Sequence, residues 1–142
     1  MAYNLNQAAM ITGQTARTLR NQLKQGLLRG EKIDGNWRFT EEELDEYIAD
    51  PSVKQVILAR QHAVVYDFLS DPFKKTGRVC TIMDFPVSMD EALEIAQFFS
   101  KEIMDRGSDI GFRYINERHY TRFILSGAEE QVAGLMKACC GR

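Results

Sequence analysis

Basic, hydroxyl and amide side chains are concentrated near the start of the sequence, at a spacing that could bind a polyanion. Residues 15–30 carry four Lys or Arg and no acid, although the chain of 142 residues has a formal net charge of −2. Guanidinium and ammonium groups contact phosphates, and Arg and Asn can also form paired hydrogen bonds with base edges. The candidate binding residues are Thr15, Arg17, Thr18, Arg20, Asn21 and Lys24, followed by Lys32, Asn36 and Arg38.

Charge is unevenly divided along the chain. Residues 1–39 contain six basic residues and two acids, which is a net charge of +4. Residues 40–50 contain six acids and no basic residue, a net charge of −6, while residues 51–142 contain twelve of each. Thr40 can cap a helix in the acidic segment, and Glu43 completes a capping box. The acids are therefore expected on a solvated helix face, and they mask the positive segment in the overall charge.

Two short helices joined by a glycine turn are predicted for the first 25 residues. Asn4 or Asn6 can cap the first helix, Gly13 permits the turn, and Thr15 can cap a second helix over residues 16–25. Leucines recur every four residues in and just after the second helix and give it one apolar face, with the basic residues off that face. The pattern predicts a helix-turn-helix. The leucines are Leu19, Leu23 and Leu27.

A hairpin is predicted directly after the second helix. The dipeptide Asp34-Gly35 favours a two-residue turn between strands at residues 31–33 and 36–39. This hairpin would form a wing beside the helices. Trp37 in its second strand is expected to pack the wing on the domain, because an indole beside a tight turn usually buries its ring.

The stretches TARTLRNQLKQGLLRG (residues 15–30) and DGNWRFTEEELDEYI (residues 34–48) resemble the DNA-binding domain of the MerR family and of excisionase-type winged helix-turn-helix proteins. The shared features are Arg-Thr-Leu-Arg in the second helix, a Gly-Leu-Leu exit, a Gly-aromatic-Arg wing and a capped acidic helix. MerR proteins usually carry a tyrosine pair where this chain has Asn21 and Gln22. The resemblance covers about residues 3–49 and implies binding to double-stranded DNA.

The residue types agree with that implication, because a helix fits the major groove of B-DNA. The expected roles divide the candidates into three groups. Arg17, Thr18, Arg20 and Asn21 are expected to face the groove, Thr15 and Lys24 to contact phosphate, and Lys32, Asn36 and Arg38 to reach the flanking backbone or minor groove.

The rest of the chain is predicted to add a helix and a small mixed domain. Asp50-Pro51 ends the winged domain (residues 1–50), because the residue before a proline avoids helical geometry. Residues 51–72 are expected to form a linker or dimerisation helix. Residues 73–142 have the order β-α-β-β-α, one strand short of a ferredoxin-like sandwich, so the domain is either truncated or borrows a strand from a second subunit. The predicted fold class is α+β, and this last domain is expected to serve dimerisation or effector binding.

Residues for catalysis or metal binding are sparse, so neither an enzyme nor a cofactor is expected. His62 and His119 are 57 residues apart, and ordinary surface roles are favoured for both. Three cysteines suit free thiols in a reducing compartment. A three-thiolate metal site is the less favoured alternative, since adjacent cysteines on a helix point in different directions. The three are Cys80, Cys139 and Cys140.

These features together predict a cytoplasmic, dimeric transcriptional regulator that binds specific DNA sequences. Signal-peptide and membrane-spanning patterns are not found in the sequence, so no membrane partner is expected. The first alternative is an excisionase-like recombination directionality factor, and the second is a protein-interaction or enzymatic module that uses the helix-turn-helix as a scaffold. Aromatic residues on the later strands are expected in the core, although they could also bind a small apolar effector. They are Phe112, Tyr114, Tyr120 and Phe123.

Overall fold

The first two helices begin at polar caps, as the sequence predicts. The computed structural model describes residues 2–107 and 109–140, with only the backbone of Cys140. Helix α1 (Leu5–Thr12) is capped by Asn4, whose side chain accepts a hydrogen bond from the Gln7 amide in a capping box. Helix α2 (Ala16–Lys24) is capped by Thr15. The two caps fix the helix starts because each satisfies an N–H group that has no partner within the helix.

The predicted hairpin is present, and a third strand joins it. Strands β2 (Glu31–Ile33) and β3 (Asn36–Thr40) are antiparallel and enclose Asp34-Gly35, whose φ angles are 51° and 79°. Positive φ at both central residues is the geometry of a type I′ turn. Strand β1 (Ala2–Tyr3), which the sequence analysis missed, pairs with the other side of β3 and gives the order β1-β3-β2.

Helix α3 (Glu41–Ala49) closes the core of the first unit. Its capping box joins Thr40 and Glu43, and the three residues predicted to face inward are buried. The leucine prediction for α2 is only partly right: Leu19 is buried, Leu23 and Leu27 are half-buried, and the neighbouring Leu28 is buried instead. The inward residues of α3 are Leu44, Tyr47 and Ile48.

Gly30 has a packing role at the exit from α2. A Cβ atom added there would lie 2.5 Å from a ring carbon of Phe39, which is fully buried. Only glycine allows this approach of the backbone to the ring, so Gly30 lets the segment before β2 pack closely on Phe39.

Helix α4 (Pro51–Ser70) follows α3 with only Asp50 between them. Asp50 is extended, as expected for a residue before proline, and its carboxylate accepts a hydrogen bond from the Ser52 amide at 2.9 Å. Packing within the chain divides it into Met1–Ile57 and Leu58–Arg142, so the division falls inside α4. The functional division at residues 50 and 72 stays a prediction.

The second unit has the predicted order β-α-β-β-α, and the fold class is α+β. Its elements are β4 (Arg78–Phe85), α5 (Met89–Arg106), β5 (Gly111–Asn116), β6 (Thr121–Ala128) and α6 (Glu129–Cys140). The strands form an antiparallel sheet in the order β4-β6-β5. This is the order in which the first three strands of a ferredoxin-like sandwich lie, with the position beside β4 left over for the fourth.

One face of this sheet, here called the covered face, carries an aromatic core. Phe123 of β6 packs on Phe99 of α5 at a ring-centroid distance of 5.8 Å, and Phe112 and Tyr114 of β5 contact the same ring of Phe123. Burial raises the pKa of Tyr114. Core packing is therefore confirmed for these three strand aromatics, whereas Tyr120 precedes β6 and lies under the guanidinium of Arg122.

Candidate nucleic-acid interface

A broad cleft of about 900 Å³ lies between α2, the β2–β3 hairpin and the start of α1. Four basic side chains line it, and none of its described lining residues is acidic. We call it the basic cleft. It brings together five of the nine predicted site residues: Arg20, Lys24, Lys32, Asn36 and Arg38.

Helix α2 contributes an exposed polar face. Arg17, Arg20, Asn21 and Lys24 recur at intervals of three and four residues, which places them on one side of the helix. All four are exposed, while Leu19 on the opposite side is buried. Arg20 and Lys24 line the basic cleft, but Arg17 and Asn21 lie beyond it. The helix therefore offers one continuous row of donors that starts outside the cleft and runs into it.

The hairpin holds its cations through contacts with Trp37. The ammonium nitrogen of Lys32 lies 5.7 Å from the centre of the indole ring, and Nη1 of Arg38 donates a hydrogen bond to the Trp37 carbonyl at 3.1 Å. Trp37 itself is half-buried and stacks on Phe39 with ring centroids 6.2 Å apart. The indole thus packs the hairpin on the core and contacts the Lys32 ammonium, while the Trp37 carbonyl holds the Arg38 guanidinium.

The two threonines of the predicted site bond to each other. The Thr15 hydroxyl donates to the Thr18 hydroxyl at 2.9 Å and accepts from the Thr18 amide at 3.1 Å. Neither residue lines the basic cleft. Both hydroxyls serve the start of α2 in this structure, and their predicted roles on phosphate and in the groove remain predictions.

A buried hydrogen-bond network holds α2 in place. The Tyr47 hydroxyl of α3 donates to Oε1 of Gln22 on α2 and accepts from Nε2 of Gln14 at 3.2 Å. Tyr47 and Gln14 are buried and Gln22 is half-buried. Gln22 therefore points inward, whereas Asn21 beside it is exposed. Sequence reasoning missed this role because nothing local to Gln22 indicates a partner 25 residues away.

Six residues outside the predicted site also line the cleft, among them Asn6, Leu23 and Trp37. Asn6 is exposed at the start of α1, while Leu23 and Trp37 supply half-buried apolar walls. Trp37 was expected only as a packing residue. The signal for Asn6 is spatial, since α1 and the hairpin meet only in the folded domain.

The acids of residues 40–50 lie away from the basic cleft. Glu43, Glu46 and Asp50 line a separate small cleft together with Arg29. Partial burial, and then the carboxylates of Glu41 and Glu42, raise the pKa of Asp45. Glu43, Glu46 and Asp50 therefore lie on a different surface from the four cations of the basic cleft.

The remaining candidates for chemistry do not assemble into a site. Cys80 lies opposite Ser126, on the face of the sheet away from Phe123. Helix α6, which carries Cys139, packs on the covered face, where Val132 lies against Gly127. The two cysteines therefore belong to opposite sides of the sheet. Burial raises the pKa of the Cys80 thiol, which disfavours the thiolate. The Cys140 side chain lies outside the described residues. Among those described, no group of three potential metal ligands occurs.

Both histidines are exposed, consistent with the surface roles expected for them, and they lie on different elements. His62 belongs to α4, and His119 lies between β5 and β6. Within the described ranges, every helix is too short or too polar to cross a bilayer.

The arrangement of the first unit is that of a helix-turn-helix domain, with a basic cleft between its second helix and the following hairpin. Residues 2–51 match the family described as helix-turn-helix domain. Such domains place their second helix in the major groove of DNA, so the match indicates a DNA-binding module in this part of the chain. No curated protein and no solved structure matches the chain.

Proposed function

We propose that this protein is a sequence-specific binder of double-stranded DNA that acts as a dimeric transcriptional regulator of MerR-like type, without enzymatic activity. The observation that carries the proposal is the basic cleft, where Arg20 and Lys24 of α2 face Lys32 and Arg38 of the hairpin with no acid among the described lining residues. Cations clustered on one concave surface are the electrostatic signature of nucleic-acid binding, even in a chain of net negative charge.

The proposed division of labour follows from the two sides of the cleft. Arg20 and Asn21 on α2 read base edges, because a guanidinium or an amide can form two hydrogen bonds with one base. Lys24, Lys32 and Arg38 neutralise phosphates on either side, with the hairpin acting as the wing. Arg17 extends the contact along the same face of α2.

The second unit favours a regulator over an excisionase-like factor. Residues 58–142 form a separate unit with an aromatic core of their own, which DNA bending by the first unit does not require. A regulator uses such a domain to join two DNA-binding domains at paired half-sites or to bind an effector.

Footprinting of the purified protein on genomic DNA at two salt concentrations tests the proposal. We expect protected sites made of two half-sites, with protection that weakens steeply as salt rises. The matched variants are Arg20→Ala, inside the cleft, and Arg29→Ala, outside it. Protection that is uniform along the DNA, or equal for the two variants, would contradict the proposal. Protection confined to a recombination attachment site would instead favour the excisionase-like alternative.

A further inference from the structure

We infer that the outer edge of β4 pairs with β4 of a second copy of this chain, antiparallel about a two-fold axis, to form one six-stranded sheet. This pairing would be the interface of the dimer in the proposed function. It rests on the proposed function only because that function requires two copies of the chain. The resulting strand order is β5-β6-β4 followed by the same three strands in reverse.

Strand β4 has a free edge. It pairs with β6 on one side over all eight of its residues, and no described strand pairs with its other side. An unpaired edge of this length exposes a row of backbone donors and acceptors, and proteins usually block it with Lys, Pro or a bulge. From Val79 to Met83 the strand has no charge and no proline. The edge is therefore built to be paired.

Burial is also incomplete along β4. Five residues of β6 are buried, whereas every residue of β4 keeps part of its surface exposed, including Val79, Met83 and Phe85 on the covered face. In a ferredoxin-like sandwich a further strand lies beside this one. A strand added here would cover these apolar side chains as well as the backbone.

The opposite face of the sheet, which α4 covers in part, also carries exposed apolar side chains beside this edge. A groove of about 310 Å³ runs between the second half of α4 and β4, and its walls include three of the most exposed apolar side chains in the described chain. These are Tyr66, Leu69 and Ile82, with 69%, 73% and 55% of their surface exposed. The groove borders the β4 edge, so a second copy paired there would continue the apolar surface rather than end it.

The side chains select one register. Joining two copies with their helices on the same side requires residues of the same face to lie opposite each other. In the register that places Thr81 opposite the partner's Thr81, Arg78 lies opposite the partner's Asp84 and Cys80 lies opposite the partner's Ile82. A shift of the axis to Ile82 places Arg78 opposite the partner's Pro86 and loses the ion pair.

The charged pair is available for this contact. Arg78 shares a small cleft with Asp67 and Asp71, but it forms no ion pair with a described residue. Asp84 accepts two hydrogen bonds from Arg122, at 2.7 and 2.8 Å, and is largely exposed. A carboxylate can accept about four hydrogen bonds, so one pair of acceptor positions stays free for the partner's Arg78.

Disulfide trapping tests the register. The thiol introduced by Ile82→Cys would lie opposite the partner's Cys80, where cross-strand Cβ atoms approach to about 4.5–5.5 Å, close to disulfide range. Mild oxidation should convert most of this variant to a covalent dimer, and adding Cys80→Ser should abolish the product. Wild type and Met104→Cys, at an exposed position on α5, are the controls. Equal crosslinking in the controls, or crosslinking that survives Cys80→Ser, would overturn the inference.

Sedimentation tests the interface without new thiols. Wild type should sediment at about twice the chain mass of 16.3 kDa at micromolar concentration. Arg78→Asp places two like charges opposite each other twice per dimer and should weaken dimerisation by about tenfold or more. Arg118→Asp, the same change in the exposed β5–β6 turn, should not. A monomeric wild type, or equal effects of the two variants, would overturn the inference. If the wild type shows no salt-dependent DNA binding while Ile82→Cys still forms the covalent dimer, the proposed function alone would be refuted.

Discussion

The number of cations in the basic cleft predicts how steeply DNA binding depends on salt. Each phosphate contact releases condensed counterions, so the slope of log K against log salt is about −0.9 per contact. Three of the cations that line the cleft, Lys24, Lys32 and Arg38, are assigned to phosphates, which gives a slope of about −2.7 for one helix-turn-helix domain and about twice that for a dimer on two half-sites. A fourfold rise in salt should therefore weaken binding by one domain by about 40-fold.

Neutralising individual cations tests this count. Each of Lys24→Gln, Lys32→Gln and Arg38→Gln should make the slope shallower by about 0.9 per domain, so that a double variant loses only about 3.5-fold over the same salt range. Arg29→Gln is the matched control, because it removes the same charge from the same unit at a position outside the cleft.

Fluorescence anisotropy with a labelled duplex of random sequence, titrated at several salt concentrations, measures these slopes. A random duplex is sufficient because the phosphate term does not depend on sequence. The reasoning fails if Arg29→Gln changes the slope as much as the cleft variants do. It also fails if the slope of the wild type is near zero.

Three further predictions concern the scaffold that holds the cleft. Tyr47→Phe leaves two glutamine side chains without their shared hydroxyl and should lower the free energy of unfolding of the first unit by about 1–3 kcal/mol in urea titrations, with exposed Tyr66→Phe unchanged. The pKa of Asp45 is higher in the folded than in the unfolded protein, so its carboxyl favours the fold when protonated. This contribution is lost as the pH rises from the unfolded pKa through the folded pKa. Asp45→Asn should therefore be more stable than wild type at neutral pH by about 0.2–0.5 kcal/mol, with the gain vanishing in acid; a gain that grows as pH falls would be inconsistent with this sign. Gly35→Ala forces a side chain into left-handed geometry at φ 79° and should cost about 1 kcal/mol, whereas Gly35→Asn should cost less; equal melting temperatures for all three proteins would argue against strain in the turn.

Most of the elements were predictable because local interactions decide them. The box between Thr40 and Glu43 and the turn at Asp34-Gly35 each involve residues no more than three apart, and both occur where the sequence places them. The pairing of Tyr3 with Phe39 was not predictable, because a two-residue strand has no periodicity and its partner lies 36 residues away. The four-residue spacing of the leucines likewise predicts Leu23 in the core, whereas the structure buries Leu28 and leaves Leu23 half-buried.

The candidate site was predictable as a set of residues but not as a surface. Helical spacing places Arg17 and Arg20 on one face of α2, yet only Arg20 reaches the cleft that the hairpin closes. Asn21 was among the predicted site residues and its neighbour Gln22 was not, but the sequence did not indicate a partner for Gln22. A buried tyrosine on α3 turns Gln22 inward, whereas Asn21 is exposed.

By itself, the sequence determined the starts of α2 and α3, the two-residue turn at Asp34-Gly35, the order of the elements after β1 and the segregation of charge into a basic and an acidic segment. These depend on the conformational preferences of single residues and on hydrogen bonds across three or four positions. Only the tertiary structure decided which four cations share one cleft, and that no described strand pairs with the outer edge of β4, beside an apolar groove. Both depend on contacts between elements far apart in the chain, whose distances in space cannot be read from their separation in sequence.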